Sequence, residues 1–130
     1  MKALVLSLVV VLCSSPLYAQ DEARLAREVH EDIQDTYKKV RTRTRLACYV
    51  AMEDLEYNEH KATIVDSIRR LDGWVHVELV SRRDRAVAEA EKRDFAAARA
   101  LIEEIVALEP VAAEQAALCG HRFREMLADE

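Results

Sequence analysis

Residues 101–119, LIEEIVALEPVAAEQAALC, decide between the two folds that this chain can adopt. Apolar residues recur there every three or four positions, which is typical of a helix that buries one face. These residues are Ile102, Ile105, Leu108, Ala112, Ala116 and Cys119. Pro110 interrupts the pattern, because proline either kinks a helix or begins a new one. Two all-α folds stay open: an antiparallel up-down-up bundle of three long helices with the third kinked at Pro110, or a four-helix bundle.

The cysteines bear on this choice. Beyond residue 19 the chain has two, Cys48 and Cys119, an even number that favours a disulfide in an oxidising compartment over two free buried thiols. With a rise of about 1.5 Å per residue, an up-down-up chain carries them roughly 40 Å and 36 Å along two parallel helices. A reversal at Pro110 would leave Cys119 only about 9 Å from the base, beyond disulfide reach. If the bond exists, it therefore selects three helices.

Helix breakers are rare elsewhere in the chain. After residue 19 they are Gly73, Gly120 and Pro110, so long helices and short turns are expected. A first helix is predicted over about 21–57 and a second over about 61–92. A third is predicted from Phe95, with Asp94 as its N-cap. The apolar stripe predicted for the second helix runs through Val65, Ile68, Asp72, Val75, Leu79, Arg82, Ala86 and Ala90.

The N-terminal 19 residues have the layout of a secretory signal peptide. Lys2 precedes a run that is apolar from residue 3 to residue 12 apart from Ser7, and Ala19 provides a small residue for cleavage. The run is shorter than the roughly 20 residues of a membrane anchor. The lipoprotein alternative, with Cys13 as the lipidated residue, lacks the usual small residue before the cysteine. We therefore predict a signal peptide at 1–19, a single helical-bundle domain at 20–130, and a secreted or periplasmic location.

Charge and motif content narrow the function. The chain has 19 lysine and arginine residues against 24 acids, a net charge of −5; loss of Lys2 with the signal peptide would make it −6. An acidic surface argues against general nucleic-acid binding. The sequence lacks Cys-x-x-Cys, Gly-x-Ser-x-Gly and glycine-rich phosphate-loop motifs. The pairs Asp72/His76 and Glu56/His60 are each too few to hold a metal. We predict no catalysis, no metal and no cofactor.

The densest basic segment is the run Lys38, Lys39, Arg41, Arg43 and Arg45. On a helix it forms either a docking point for an anionic group or an ordinary solvated face paired with nearby acids. Long amphipathic helices without catalytic motifs are typical of helical bundles and coiled coils. We predict a protein that acts through protein–protein interaction or self-association, with a protein partner or a homo-oligomer, no nucleic acid, and no integral membrane segment after signal cleavage.

Residues 93–110 resemble the second half of a tetratricopeptide repeat. Asp94-Phe95 followed by Ala98, with a closing Pro110, matches the Gly-Asp-Tyr/Phe pattern of that family, except that Arg93 stands where the family has glycine. A second copy of the repeat is absent from the sequence. The resemblance therefore implies a helical hairpin with its turn at 93–94.

The alternative function comes from a resemblance to the periplasmic cytochrome b562 type. The signal peptide, the length, the helical bundle and a histidine near the C-terminus, His121 in Cys119-Gly120-His121-Arg122-Phe123, are similar to that family. The resemblance implies a haem-binding or metal-binding bundle with His121 as a ligand. The chain departs from the family's second ligand, a methionine near the mature N-terminus, because its first methionine after the signal is Met52.

Overall fold

A computed structural model describes the backbone of residues 2–128 and the side chains of residues 19–120. The helices are α1 (Lys2–Ala51), α2 (Tyr57–Val75), α3 (Ser81–Glu91), α4 (Phe95–Ala107) and α5 (Glu109–Ala128). A single π turn, His76–Val80, joins α2 to α3 without a break. No strand occurs between residues 2 and 128. The chain is therefore an all-α bundle, as predicted.

The third long helix is made of α4 and α5 and bends immediately before Pro110. Leu108, at φ −81° and ψ −7°, donates its N–H to the carbonyls of Glu104 and Ile105 at 3.2 and 3.1 Å. The helix then resumes with a bond of 2.7 Å from the Ala112 N–H to the Leu108 carbonyl. Proline lacks an N–H and its ring crowds the preceding turn, so the helix bends on the N-terminal side of Pro110. The chain does not reverse there, and three long helices form the bundle.

The core consists of three stacked layers, each built from all three long helices. We call them the alanine layer, the middle layer and the disulfide layer. The alanine layer contains Val29, Ile33, Ala86, Ala90, Ala98 and Leu101. The middle layer contains Tyr37, Val40, Val75, Leu79, Ile105 and Ala112. The disulfide layer contains Cys48, Met52, Leu55, Leu71, Ala116 and Cys119. Residue numbers rise from layer to layer in α1, fall in the second long helix and rise again in the third, so the topology is up-down-up.

The first turn lies earlier in the chain than predicted. Helix α1 ends at Ala51 and α2 begins at Tyr57, so the predictions of a helix to 57 and a turn at 58–60 were wrong. Neither glycine nor proline marks the end of α1. The chain leaves the helix through i→i+3 bonds, and Leu55 is buried in the disulfide layer. Within the predicted turn, His60 has non-helical φ/ψ angles, although it belongs to α2.

The stripe predicted for the second long helix is confirmed in its C-terminal half, where Val75, Leu79, Ala86 and Ala90 are buried, but not in its N-terminal half. Ser67, Leu71, Val75 and Leu79 are buried, whereas Val65 is exposed. Each step of four residues turns an α-helix about 40° too far, so this row would drift off the core. The wider π turn at 76–80 reduces the rotation per residue. It thereby keeps Leu79 and the following Ala86 and Ala90 directed at the other helices.

The turn between α3 and α4 follows local rules. Arg93 has φ 66°, the left-handed conformation that usually follows a helix C-cap. Its N–H bonds to the Ala90 carbonyl at 3.0 Å, and the Asp94 N–H bonds to the Glu89 carbonyl at 2.9 Å; these are the two bonds of a Schellman motif. The Asp94 carboxylate then accepts the N–H of Ala97 at 3.1 Å. The predictions of an Asp94 N-cap and of a turn at 93–94 are confirmed.

Candidate interaction face on helix α1

The predicted cysteine pair lies in the core rather than at an exposed site. Cys48 and Cys119 are joined by a disulfide, with their Cα atoms 5.5 Å apart and both residues almost fully buried. A buried disulfide that links α1 to α5 across 71 residues is placed to stabilise the bundle. The side chain of His121, the predicted candidate ligand of the cofactor hypothesis, lies outside the described residues.

A recess of about 240 Å³ opens between α1 and the bend of the third helix. Its walls are aliphatic or small, and Arg43 and Glu109 stand at its mouth with their charged groups 3.9 Å apart. Its lining residues are Val40, Arg43, Thr44, Ala47, Glu109, Ala112 and Ala113. Thr44 donates its hydroxyl to the Val40 carbonyl, so its polar group is satisfied within α1. The recess forms because small side chains of α1 and α5 face each other beside the bend of the third long helix.

The solvent-facing side of α1 offers a more distinctive surface. Leu46, Tyr49 and Val50 lie within about one helical turn and keep 60%, 49% and 54% of their surface exposed. Single exposed apolar residues are common, but a contiguous group on one helix face is typical of an interaction site. Tyrosine is also enriched in protein–protein interfaces. We call the exposed side of residues 38–54, which belong to α1 and to the turn that follows it, the outer face of α1.

Basic side chains flank this apolar group on its N-terminal side. Arg43 pairs with Glu109, and Arg45 lies 3.4 Å from a carboxylate oxygen of Asp72, as expected for an ordinary solvated face. Lys38, Lys39 and Arg41 make no ion pair with the side chains of residues 19–120. The basic run therefore divides into two arginines that form ion pairs with other helices and three cations without such pairs, of which Lys38 and Lys39 are exposed and Arg41 is half-buried.

Acidic side chains flank the apolar group on its C-terminal side. Glu53, Asp54 and Glu56 are exposed in the turn after α1, and none of them forms an ion pair within residues 19–120. The Glu53 N–H bonds to the Val50 carbonyl at 3.2 Å, so Glu53 lies in the i→i+3 turn by which the chain leaves α1 after Ala51. Along α1 and the turn that follows it, the outer face thus changes from basic through apolar to acidic.

One residue of each acid–histidine pair noted in the sequence has an ion-pair neighbour outside that pair. Asp72 pairs with Arg45, and His60 lies 3.9 Å from Glu59. Among the side chains of residues 19–120, no three histidine, cysteine or acidic groups are arranged to hold a metal ion. Within the same part of the chain, no helix has the length and apolar character that a membrane span requires.

Comparisons with known proteins give no family for this chain. No protein-family model, no curated protein and no solved structure matches it. The basic run is visible in the sequence, but Leu46, Tyr49 and Val50 were not identified from it, because they lie off the core stripe of α1. A helical projection of residues 38–54 would have grouped them, since positions 46, 49 and 50 are neighbours on a helix.

Proposed function

We propose that the protein is exported and acts without catalysis, by binding a protein surface through the outer face of α1. The observation that carries this proposal is the exposed apolar group Leu46, Tyr49 and Val50. Burial of apolar surface drives most protein association, and flanking charges contribute orientation and specificity. The three cations and three acids without ion pairs inside residues 19–120 are free to form such contacts.

Export is supported by the N-terminal sequence and by the disulfide. Disulfides persist in oxidising compartments and are rare in the cytoplasm. An intact-mass spectrum of the protein from the exported fraction tests this part. We expect a chain that begins near Gln20, two hydrogens lighter than the reduced form and without an adduct. A haem or metal adduct would instead favour the cofactor-binding alternative and make His121 the first residue to replace.

Site-specific photo-cross-linking tests the interaction face. A photoreactive phenylalanine analogue at Tyr49 should give a discrete cross-linked product in the exported fraction, and Leu46→Glu in the same chain should abolish that product. The same analogue at Val77 is the matched control, because Val77 is 63% exposed but lies in the π turn of the second long helix. Equal products from positions 49 and 77, or none from position 49, would contradict the proposal.

A further inference from the structure

The order of charges along the outer face makes it self-complementary. Lys39 lies seven residues before Leu46, and Glu53 lies seven residues after it. Lys38 and Asp54 are likewise each eight residues from Leu46. At about 1.5 Å per residue, the first pair stands about 10 Å on either side of Leu46. Positions seven apart lie almost on one line of a helix, so Lys39 and Leu46 share one line of α1, and Glu53 follows in the turn two residues past its end.

We propose that the partner of this face is a second copy of the chain, packed antiparallel about a two-fold axis at Leu46. This inference rests on the proposed function and names the partner. A two-fold axis brings the same patch of both chains together. It places Leu46 against its counterpart and Lys39 of each chain opposite Glu53 of the other.

Other ways of covering the outer face would place like charges opposite one another. A parallel copy would place Lys39 against Lys39 and Glu53 against Glu53, and like charges across an interface are unfavourable. A uniformly acidic partner would suit Lys38 and Lys39 but would be repelled by Glu53 and Asp54. The antiparallel copy satisfies both ends of the outer face, and it also buries the apolar group between them.

The area of the face sets the expected strength of the dimer. Residues 38–54 extend about 24 Å along a helix about 10 Å wide. That is less than the roughly 800 Å² that each partner buries in a stable complex of standard size. We therefore expect a weak dimer that forms with increasing concentration and dissociates as salt screens its exposed ion pairs.

A charge-swap experiment tests the arrangement by sedimentation velocity over a range of protein concentrations. Lys39→Glu and Glu53→Lys should each reduce dimer formation at least tenfold. In either variant, both 39–53 pairs of the dimer would bring like charges together. An equimolar mixture of the two variants should restore it, since one chain then carries acids at both positions and the other carries lysines at both. The double variant Lys39→Glu/Glu53→Lys should also dimerise.

Two controls separate this effect from changes in net charge or hydropathy. Glu103→Lys makes the same charge change at an exposed position of α4 and should leave the dimer intact, as should Val77→Glu. Leu46→Glu should dissociate it. A native protein that stays monomeric at every concentration, or a variant mixture that does not recover, would overturn the inference. A photo-cross-link from position 49 to a different protein would also overturn this inference, but it would support the proposed function.

Discussion

The two ends of the bundle are held together in different ways. In the disulfide layer, residues far apart in sequence fasten α1 to α5 through the Cys48–Cys119 bond. There the backbones also approach closely, because Gly120 lies against the end of α1. In the alanine layer, small side chains let the helices pack together, and the adjacent turn is specified by neighbouring residues, Arg93 and Asp94. Long-range contacts thus define one end and local backbone chemistry defines the other.

Loss of the disulfide should give the largest difference between the two ends. Replacing both Cys48 and Cys119 with alanine should lower the free energy of unfolding by about 4 kcal/mol, because the bond closes a loop of 71 residues in the unfolded chain. Urea denaturation measures the loss, and reduction of the native protein should reproduce most of it. Alkylation of Cys119 in the folded, unreduced native protein would show that the bond is absent.

Gly120 tests the close approach at the same end. A Cβ at this position would lie 2.9 Å from the Ala51 carbonyl oxygen and 3.3 Å from the Ala51 Cβ, so Gly120→Ala must displace a helix. We expect a loss of about 1–3 kcal/mol in thermal or urea unfolding.

The matched control for this substitution is Gly73→Ala. A Cβ at Gly73 meets nothing within 4 Å, and alanine is the better helix former, so we expect a gain of about 0.5–1 kcal/mol. Equal effects at the two glycines would mean that α5 does not press against the end of α1.

At the other end, the N-cap of α4 should contribute a smaller, local amount. Asp94→Ala removes the carboxylate that accepts the Ala97 N–H, and we expect it to lower the free energy of unfolding by about 1 kcal/mol. Asp94→Asn is the control, because asparagine caps equally well. A loss of the same size in the asparagine variant would assign the effect to charge rather than to capping.

Arg93 gives the smallest expected effect and the opposite sign. Its φ of 66° is unfavourable for a side chain with a Cβ but free for glycine. Arg93→Gly should therefore raise the free energy of unfolding by about 0.5–1 kcal/mol, even though it removes an exposed ion pair with Glu22. The comparison variant Arg93→Ala keeps the unfavourable φ and should give no such gain in a thermal melt.

The contrast between the ends also explains which predictions from sequence succeeded. Asp94 and Pro110 act on their immediate neighbours, so the α3–α4 turn and a break in the third segment could be predicted from residue types alone. Whether the chain bends or reverses at Pro110 could not, because both agree with proline geometry. The end of α1 carries no such signal. Ala51 and Leu55 continue the apolar spacing of α1, so the pattern predicts a longer helix. The helix nevertheless ends at Ala51, and Leu55 is buried in the disulfide layer from the turn that follows. The position of the first turn therefore depends on a tertiary contact, and helix propensity alone predicted this turn too late in the chain.

The candidate site shows the same division. The cation run 38–45 is visible in the sequence, but the pairing of Arg43 and Arg45 with other helices depends on how those helices pack. Ion pairs between distant residues therefore decided which cations face outward. The apolar group Leu46, Tyr49 and Val50 was missed because these residues lie off the core stripe of α1 and outside the cation run.

By itself, the sequence determined the helical class, the Asp94 cap and the place of the break at Pro110, because helix propensity, capping and proline geometry act within a few residues. The even cysteine count also favoured a Cys48–Cys119 disulfide, and this bond, if present, selected the three-helix fold. The end of α1, the π turn that returns Leu79 to the core, and the free charges on the outer face were decided by tertiary structure. Each of these features depends on what a residue meets across the bundle, and side-chain packing between helices determines that.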